Sequence, residues 1–218
     1  MRAAQVAPGL WRWTVPHPEW VAGGVGAEDW PQEVGCVYCE GPDAVLLVDP
    51  LLPEPGEERE RFWRALDRDL ERAGLPLVIV ITLRFHERSA GEVAARHGAR
   101  VLAEERTVPR LEVAAEGFRA GDALPGGAVS IDAHRRGEVL VWLPAHRALV
   151  AGDVLLGTEE GGLTTCPDSW LAAEPRGDAL RAALRPALLD LPVAVVLTSH
   201  WDPVLAGGRE ALARALGG

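Results

Sequence analysis

Apolar and polar positions along the chain follow strand and helix periodicities in turn. Near the N-terminus, the segments GLWRWTVP, GCVYCEG and AVLLVDP have the short apolar patterns of strands, and a Gly-rich segment at residues 22–29 predicts a loop between the first two. The run LVIVITL at residues 77–83 has the continuous apolar character of a buried strand. The opening of the chain is therefore predicted to be rich in β-structure.

Helical periodicity is clearest at residues 59–74, where apolar residues recur at helical spacing between charged side chains and Gly74 ends the segment. A second helix is predicted at residues 91–98, before a short strand, ARVLAEE. Downstream, AVSIDAH, EVLVWLPAHRALVAGDVLLG and VAVVLTSH predict further strands, whereas residues 178–191 and 207–218 predict two more helices.

This alternation of strands and helices predicts an α/β fold with two similar halves. No linker, charge run or low-complexity segment divides the chain, so residues 1–218 are interpreted as a single domain. The carboxyl ends of buried strands are where α/β sheets usually carry their functional groups. Residues 82–91 follow such a strand and are the first place to look for chemistry.

Composition narrows the function. The chain of 218 residues has a formal net charge of −10, which argues against a nucleic-acid partner. All 22 basic residues are arginine, so a lysine-dependent phosphate loop or Schiff-base chemistry is excluded. The longest apolar run is too short to span a bilayer, and the N-terminus lacks a signal-like apolar region, so we expect a cytoplasmic protein without membrane contact.

The three cysteines, Cys36, Cys39 and Cys166, fit reduced thiols better than a disulfide framework. Cys36 and Cys39 lie three apart in a predicted strand, where they point to opposite faces, so a zinc knuckle is not expected. Trp11 and Trp13 share one face of a strand, and their side chains fit core packing, a rim above a cleft, or the surface of a homodimer.

Histidine and carboxylate side chains follow four predicted strands. His86 and Glu87 come after residues 77–83, and His134, Asp153 and His200 each follow a later strand. These residue types are the usual ligands of zinc, manganese and iron, and ligands drawn from several strand ends form a site that a sheet holds open.

With these residues in this order, the sequence resembles the metallo-β-lactamase fold superfamily over nearly its whole length. The resemblance rests on Asp49 at the end of AVLLVDP, on Thr82 with the pair Ala90-Gly91 around the central motif, and on the segments VAGDVLLG and TSHWDPV. It implies a four-layer αββα sandwich with two mixed sheets, flanked by helices. It also implies that His134, Asp153 and His200 occupy metal-ligand positions.

The central motif of that family, T-H-x-H-x-D-H, is degenerate in this chain. In the implied register, Leu83 and Phe85 replace two histidines, Glu87 replaces the aspartate, and Arg88 replaces the last histidine. Leucine and phenylalanine offer no lone pair, and arginine carries a fixed positive charge, so the usual two-metal site cannot form. His86 lies out of register with the motif.

Two outcomes remain open. In the first, one zinc or other divalent ion is held by His134, Asp153, His200 and either His86 or Glu87, with Asp153 and Glu87 as candidate catalytic residues. The expected chemistry is then hydrolysis of a small ester, thioester or lactone. In the second, no metal binds, Arg88 pairs with Asp153 or Glu87 in its place, and the cleft serves a non-catalytic binding or partner module. In both, a small molecule is the expected ligand.

Overall fold

A computed structural model of the chain describes residues 1–22, 30–173 and 175–217. The predicted Gly-rich loop at residues 22–29 lies almost entirely outside the described residues.

The larger of the two main sheets has seven strands in the order of the sequence. The first three pairings, from the first strand to the fourth, are antiparallel, and the next three, from the fourth strand to the seventh, are parallel. The strands are β1 (Arg2–Ala7), β2 (Leu10–Pro16), β3 (Glu33–Glu40), β4 (Val45–Val48), β5 (Leu77–Ile81), β6 (Arg100–Glu104) and β7 (Glu116–Phe118).

The second main sheet has four strands, in the order β13-β10-β9-β8, with a parallel pair between β10 and β13. A short antiparallel pair, β11 with β12, lies outside it. The bounds of these strands are β8 (Val129–Asp132), β9 (Val139–Leu143), β10 (Ala148–Ala151), β11 (Leu155–Gly157), β12 (Leu163–Thr165) and β13 (Val195–Thr198).

Among the described residues, four α-helices flank the sheets: α1 (Glu57–Ala73), α2 (Ala90–His97), α3 (Gly177–Leu189) and α4 (Gly208–Ala215). The helix predicted at residues 59–74 is confirmed as α1, which Gly74 ends in a left-handed conformation with φ 63°.

Three apolar clusters separate four layers. Because strand side chains alternate, Val78 and Val80 pack between the sheets, while Ile79 and Ile81 face α1 and α2 on the outer side. A third cluster joins the outer face of the second sheet to α3 and α4. This arrangement confirms the predicted αββα sandwich.

The predicted faces of the two cysteines are confirmed, whereas one strand was missed. Cys36 and Cys39 are buried on opposite faces of β3, as their spacing predicted. The strand β1 was not predicted, because RAAQVA has weak strand preference and a largely exposed edge position. None of the described helices is long and apolar enough to cross a membrane.

Candidate metal centre

Strand ends from both sheets converge at one edge of the sandwich. Asp49 follows β4, His86 follows β5, Asp153 follows β10 and His200 follows β13. The backbone joins the sheets here, since the amide of Gly35 donates to the carbonyl of Ser199 at 2.7 Å. The fold therefore brings side chains that are distant in sequence to one place.

A short 3₁₀ helix, Arg84–His86, turns the imidazole of His86 inward. His86 is buried, whereas the preceding Phe85 is 58% exposed. His86 Nδ1 lies 2.8 Å from Asp49 Oδ2, and Asp49 also accepts the backbone amide of Thr82 at 2.8 Å. Because a carboxylate only accepts hydrogen bonds, Nδ1 carries the proton and donates a hydrogen bond to Asp49. This bond directs the other ring nitrogen, Nε2, toward Asp153.

Asp153 lies between the two buried histidines. Its Oδ1 is 3.2 Å from His86 Nε2 and 3.3 Å from His200 Nε2. This oxygen is buried and has no hydrogen-bond partner among the described residues. One ligand atom from each of His86, Asp153 and His200 lies within 4.8 Å of the other two. The cluster thus offers two imidazole nitrogens and one carboxylate oxygen at a common point.

Burial and neighbouring charges act in opposite directions on these groups. Burial lowers the pKa of His86, but the carboxylates of Asp49 and Asp153 raise it to a net value above the ordinary range. Burial lowers the pKa of His200 more than Asp153 raises it. Burial raises the pKa of Asp153, yet the two histidines outweigh it, and the net pKa lies well below its usual range. Asp153 is therefore a carboxylate at neutral pH.

A buried ion pair supports Asp153 from its other side. Arg135 Nη1 donates to Asp153 Oδ2 at 3.2 Å and to Glu138 Oε2 at 2.8 Å. Glu138 Oε1 accepts the backbone amides of Asp153 and Val154 at 2.8 and 2.7 Å. Burial and the nearby Asp153 charge raise the pKa of Glu138. This pair fixes the loop that carries Asp153.

Gly152 makes this close packing sterically feasible. A Cβ at this position would lie 2.7 Å from the hydroxyl oxygen of Thr82 and 3.0 Å from Glu138 Oε1. Only a residue without a side chain allows the Asp153 loop to approach β5 so closely.

Two predicted site residues lie outside the cluster. The side chain of His134 is 34% exposed, and its Nδ1 is 4.0 Å from the carboxylate of Asp132. Glu87 directs its carboxylate to the backbone amides of Glu112 and Val113, at 2.6 to 3.0 Å. The structure thus brings three of the five predicted site residues together, His86, Asp153 and His200, and places His134 and Glu87 apart from them.

Arg135, and not Arg88, pairs with Asp153. For the outcome without metal, Arg88 was predicted to pair with Asp153 or Glu87, but its guanidinium donates to the carbonyls of Gly35 and Asp49 and to the hydroxyl of Ser199. Arg135 is the cation that pairs with Asp153, and sequence analysis missed it. The available signal was an arginine next to His134 with Glu138 three residues later, a spacing that suits an ion pair.

Backbone strain is concentrated at this edge. Among the described residues, five non-glycine residues have positive φ, and four of them follow strands at the site: Asp49 (52°), Arg88 (44°), His134 (54°) and Trp201 (60°). Such conformations cost free energy and are often retained where function requires a particular side-chain position.

A cavity of about 410 Å³ opens onto the cluster. Aromatic rings line it, with Trp30 5.3 Å and Trp170 6.0 Å from the ring of His200, measured between centroids. Its other lining residues include Phe85, Arg88 and Arg135. The size and the mixture of aromatic and charged groups suit a small organic ligand.

No protein-family model matches the sequence, and no curated protein is significantly similar to it. Solved structures do match. A metallo-β-lactamase family protein from Thermus thermophilus is 21% identical, with a TM-score of 0.60 over 98% of this chain and 80% of that one.

Two further matches are the metallo-β-lactamase of Pontibacter korlensis and the metallo-β-lactamase FIM-1 of Pseudomonas aeruginosa in its mono-zinc form. Each is 17% identical and covers 99% of this chain. The matches extend over 97% and 94% of those chains, with TM-scores of 0.67 and 0.68. Together with the four layers and the strand-end cluster, they show that this chain has the metallo-β-lactamase fold.

Proposed function

We propose that His86, Asp153 and His200 hold one divalent metal ion and that the adjoining cavity hydrolyses a small ester, thioester or lactone. The observation that carries this proposal is the buried Asp153 Oδ1, which faces two imidazole nitrogens and has no hydrogen-bond partner among the described residues. Two histidines with one carboxylate form a recurrent metal-binding set that leaves coordination positions open.

The separations suit such an ion. Zinc bonds of about 2.0–2.1 Å in tetrahedral geometry place neighbouring ligand atoms about 3.3 Å apart. The two imidazole nitrogens lie 3.2 and 3.3 Å from Asp153 Oδ1. Neutral imidazole lone pairs and a carboxylate oxygen repel one another at this distance unless a proton or a cation lies between them.

The residues around the ligands have separate tasks. Asp49 orients His86 by accepting the proton of Nδ1, an arrangement that fixes the tautomer and makes the imidazole a stronger donor to metal. Glu138 and Arg135 hold Asp153. A divalent ion bound by this set supplies Lewis acidity, which lowers the pKa of water and polarises a scissile carbonyl. Trp30 and Trp170 give the cavity an aromatic wall next to His200.

The test measures hydrolysis of p-nitrophenyl acetate, a thioester and a lactone by zinc- and manganese-reconstituted protein. We expect hydrolysis to disappear after chelation and in Asp153→Asn, which keeps the size of the side chain. His134→Ala serves as the matched control and should retain the activity, because His134 lies outside the cluster. Hydrolysis that persists in Asp153→Asn or after chelation would contradict the proposal.

A second candidate, a non-catalytic binding module, is favoured by one observation. Arg135 already places a positive charge against Asp153 Oδ2, so part of the charge that a metal would neutralise is neutralised by the protein. In that case the reconstituted protein takes up no metal and hydrolyses none of the three substrates, while small molecules still bind in the cavity.

A further inference from the structure

A larger cavity, of about 720 Å³, lies on the outer face of the seven-stranded sheet. The strands β1 to β4 form its floor, and α1 forms one wall. Its lining residues differ from those of the cavity at the candidate metal centre. The volume is within the range of sites that bind small organic molecules, so this face of the sheet is a second place where a ligand fits.

The cavity exists because small and large side chains stand next to each other on this face. Ala3 of β1 pairs with Trp13 of β2, and the methyl group of Ala3 rises little above the sheet. The helix α1 packs its Phe62 and Leu66 in the same apolar cluster as Trp13. A gap therefore remains above β1, beside the contact between α1 and β2.

The aromatic walls of this gap are fixed by the protein itself. The indole N–H of Trp13 donates to the carbonyl of Leu51 at 3.0 Å, and its ring lies 5.5 Å from that of Phe62, measured between centroids. The hydroxyl of Tyr38 donates to Glu40 at 2.9 Å. Because these rings are already held in place, a ligand would lose little free energy in ordering the site.

Trp11 completes the aromatic lining and is the most open part of it. Its side chain is 37% exposed, which makes it one of the few large apolar side chains that remain exposed among the described residues. Trp11 and Trp13 thus present two indoles on one face of β2, and aromatic rings pack favourably against such groups with offset or edge-to-face geometry. The walls favour an aromatic ligand.

The charges of the lining favour a ligand without charge. Among the described lining residues, the four charged side chains form two ion pairs, Arg72 with Glu40 and Arg68 with Asp69. A charged ligand would lose hydration in the cavity while its possible counter-charges are already paired.

Uncharged polar groups are available at the same time. Gln5 and Trp11 are partners in the pairing of β1 with β2, so an amide and an indole N–H lie close together in the lining. Both can form hydrogen bonds with a neutral polar substituent, such as a hydroxyl, carbonyl or amino group.

We propose that this cavity binds one neutral aromatic molecule, which lies against Trp11 and Trp13 and covers the gap above β1. The site is separate from the proposed metal centre, and its occupation does not depend on metal.

The experiment titrates the full chain with N-phenyl-1-naphthylamine, a neutral aromatic probe whose fluorescence increases in apolar surroundings. The probe is excited directly, so that tryptophan emission does not contribute. We expect a saturable increase that corresponds to one probe molecule per chain, with the same affinity before and after chelator treatment. A signal that does not saturate, or no signal, would overturn the proposal.

Two variants with the same added side chain locate the probe. Ala3→Trp fills the gap with an indole, whereas Ala4→Trp adds the indole on the other face of β1, where Ala4 lines a different cavity. Both alanines are exposed and tryptophan suits a strand, so both variants should fold. We expect Ala3→Trp to weaken probe binding at least about tenfold and Ala4→Trp to leave it unchanged. Equal affinities of the two variants would contradict the assignment.

The charge of the ligand and the identity of the occupant have their own tests. The anionic probe 8-anilinonaphthalene-1-sulfonate has the same aromatic body, and Ala3→Trp should leave its binding unchanged because the sulfonate keeps it out of this cavity. An equal loss for both probes would contradict the preference for a neutral ligand. Sedimentation velocity should show the same oligomeric state for wild type and Ala3→Trp. A dimer that dissociates only in Ala3→Trp would identify a second copy of the chain as the occupant and overturn the proposal.

Discussion

The two sides of the strand-end edge differ in which side chains reach its centre. On one side, the 3₁₀ turn after β5 directs His86 inward, although the motif register placed it outside. On the other side, His134 lies in the expected register, yet its side chain remains 34% exposed. A ligand position is therefore determined by local backbone conformation as well as by its place in a motif.

The cause of the difference is visible in the backbone. Strand alternation does not continue into the 3₁₀ helix of residues 84–86, so Phe85 points outward and His86 inward. His134 has a left-handed conformation with φ 54°, and the chain turns there, so the following Arg135 reaches Asp153 instead. On one side, an imidazole outside the motif register reaches the centre, and on the other a guanidinium lies there in place of an imidazole.

The largest effect on stability is expected from breaking the buried ion pair between Arg135 and Glu138. Glu138→Ala removes one of the two carboxylates that Arg135 contacts and the acceptor of two buried backbone amides, and we expect the free energy of unfolding to fall by about 3–5 kcal/mol. Urea denaturation measures this loss. Glu87→Ala is the control, because the carboxylate of Glu87 is partly exposed. If Glu87→Ala lowers the free energy of unfolding as much as Glu138→Ala does, the special role of the buried pair is contradicted.

A smaller effect is expected from Gly152→Ala, which inserts a methyl group where the two sides meet. The new Cβ would lie 2.7 Å from the hydroxyl oxygen of Thr82, so we expect a loss of about 1–3 kcal/mol in the free energy of unfolding. Gly91→Ala, in the helix α2, would place its Cβ 3.8 Å from the side chain of Val113, an ordinary van der Waals contact, and should be neutral or slightly stabilising. Equal stability of both variants would show that the loop packs less tightly than described.

The third prediction compares His86 with His134 by changing the carboxylate next to each and measuring the affinity for metal. Asp49→Asn weakens the hydrogen bond that orients His86, so we expect metal affinity to fall by about 10- to 100-fold in a competition titration with a chromophoric chelator. Asp132→Asn alters the partner of His134 and should leave the affinity unchanged. A similar decrease in both variants would indicate that His134 takes part in metal binding.

Much of the fold could be predicted from the sequence, because periodicity reports which faces are buried. The apolar runs in AVLLVDP and LVIVITL predicted β4 and β5, and Gly74 marked the end of α1. Strand β1 escaped prediction, since its stability depends on pairing with β2 rather than on its own residues. Element type is encoded locally, whereas edge-strand pairing is encoded by distant residues.

The candidate site could be predicted only in part. Asp153 and His200 follow strands directly, so their positions were readable from strand ends. His86 was included as a candidate, but its side chain points inward because of a 3₁₀ turn, which the hydrophobic periodicity of the sequence does not predict. Arg135 and Glu138 were missed because their role arises from a contact between two loops, which a linear motif does not describe.

The most direct test of the central claim is the metal content of three proteins prepared identically without chelators: wild type, His86→Ala and His134→Ala. Plasma mass spectrometry after zinc loading and removal of free metal gives the stoichiometry. Our account predicts about one equivalent in wild type and in His134→Ala, and a clear loss in His86→Ala. Retention of the metal by His86→Ala with loss in His134→Ala, or no bound metal in wild type, would contradict it.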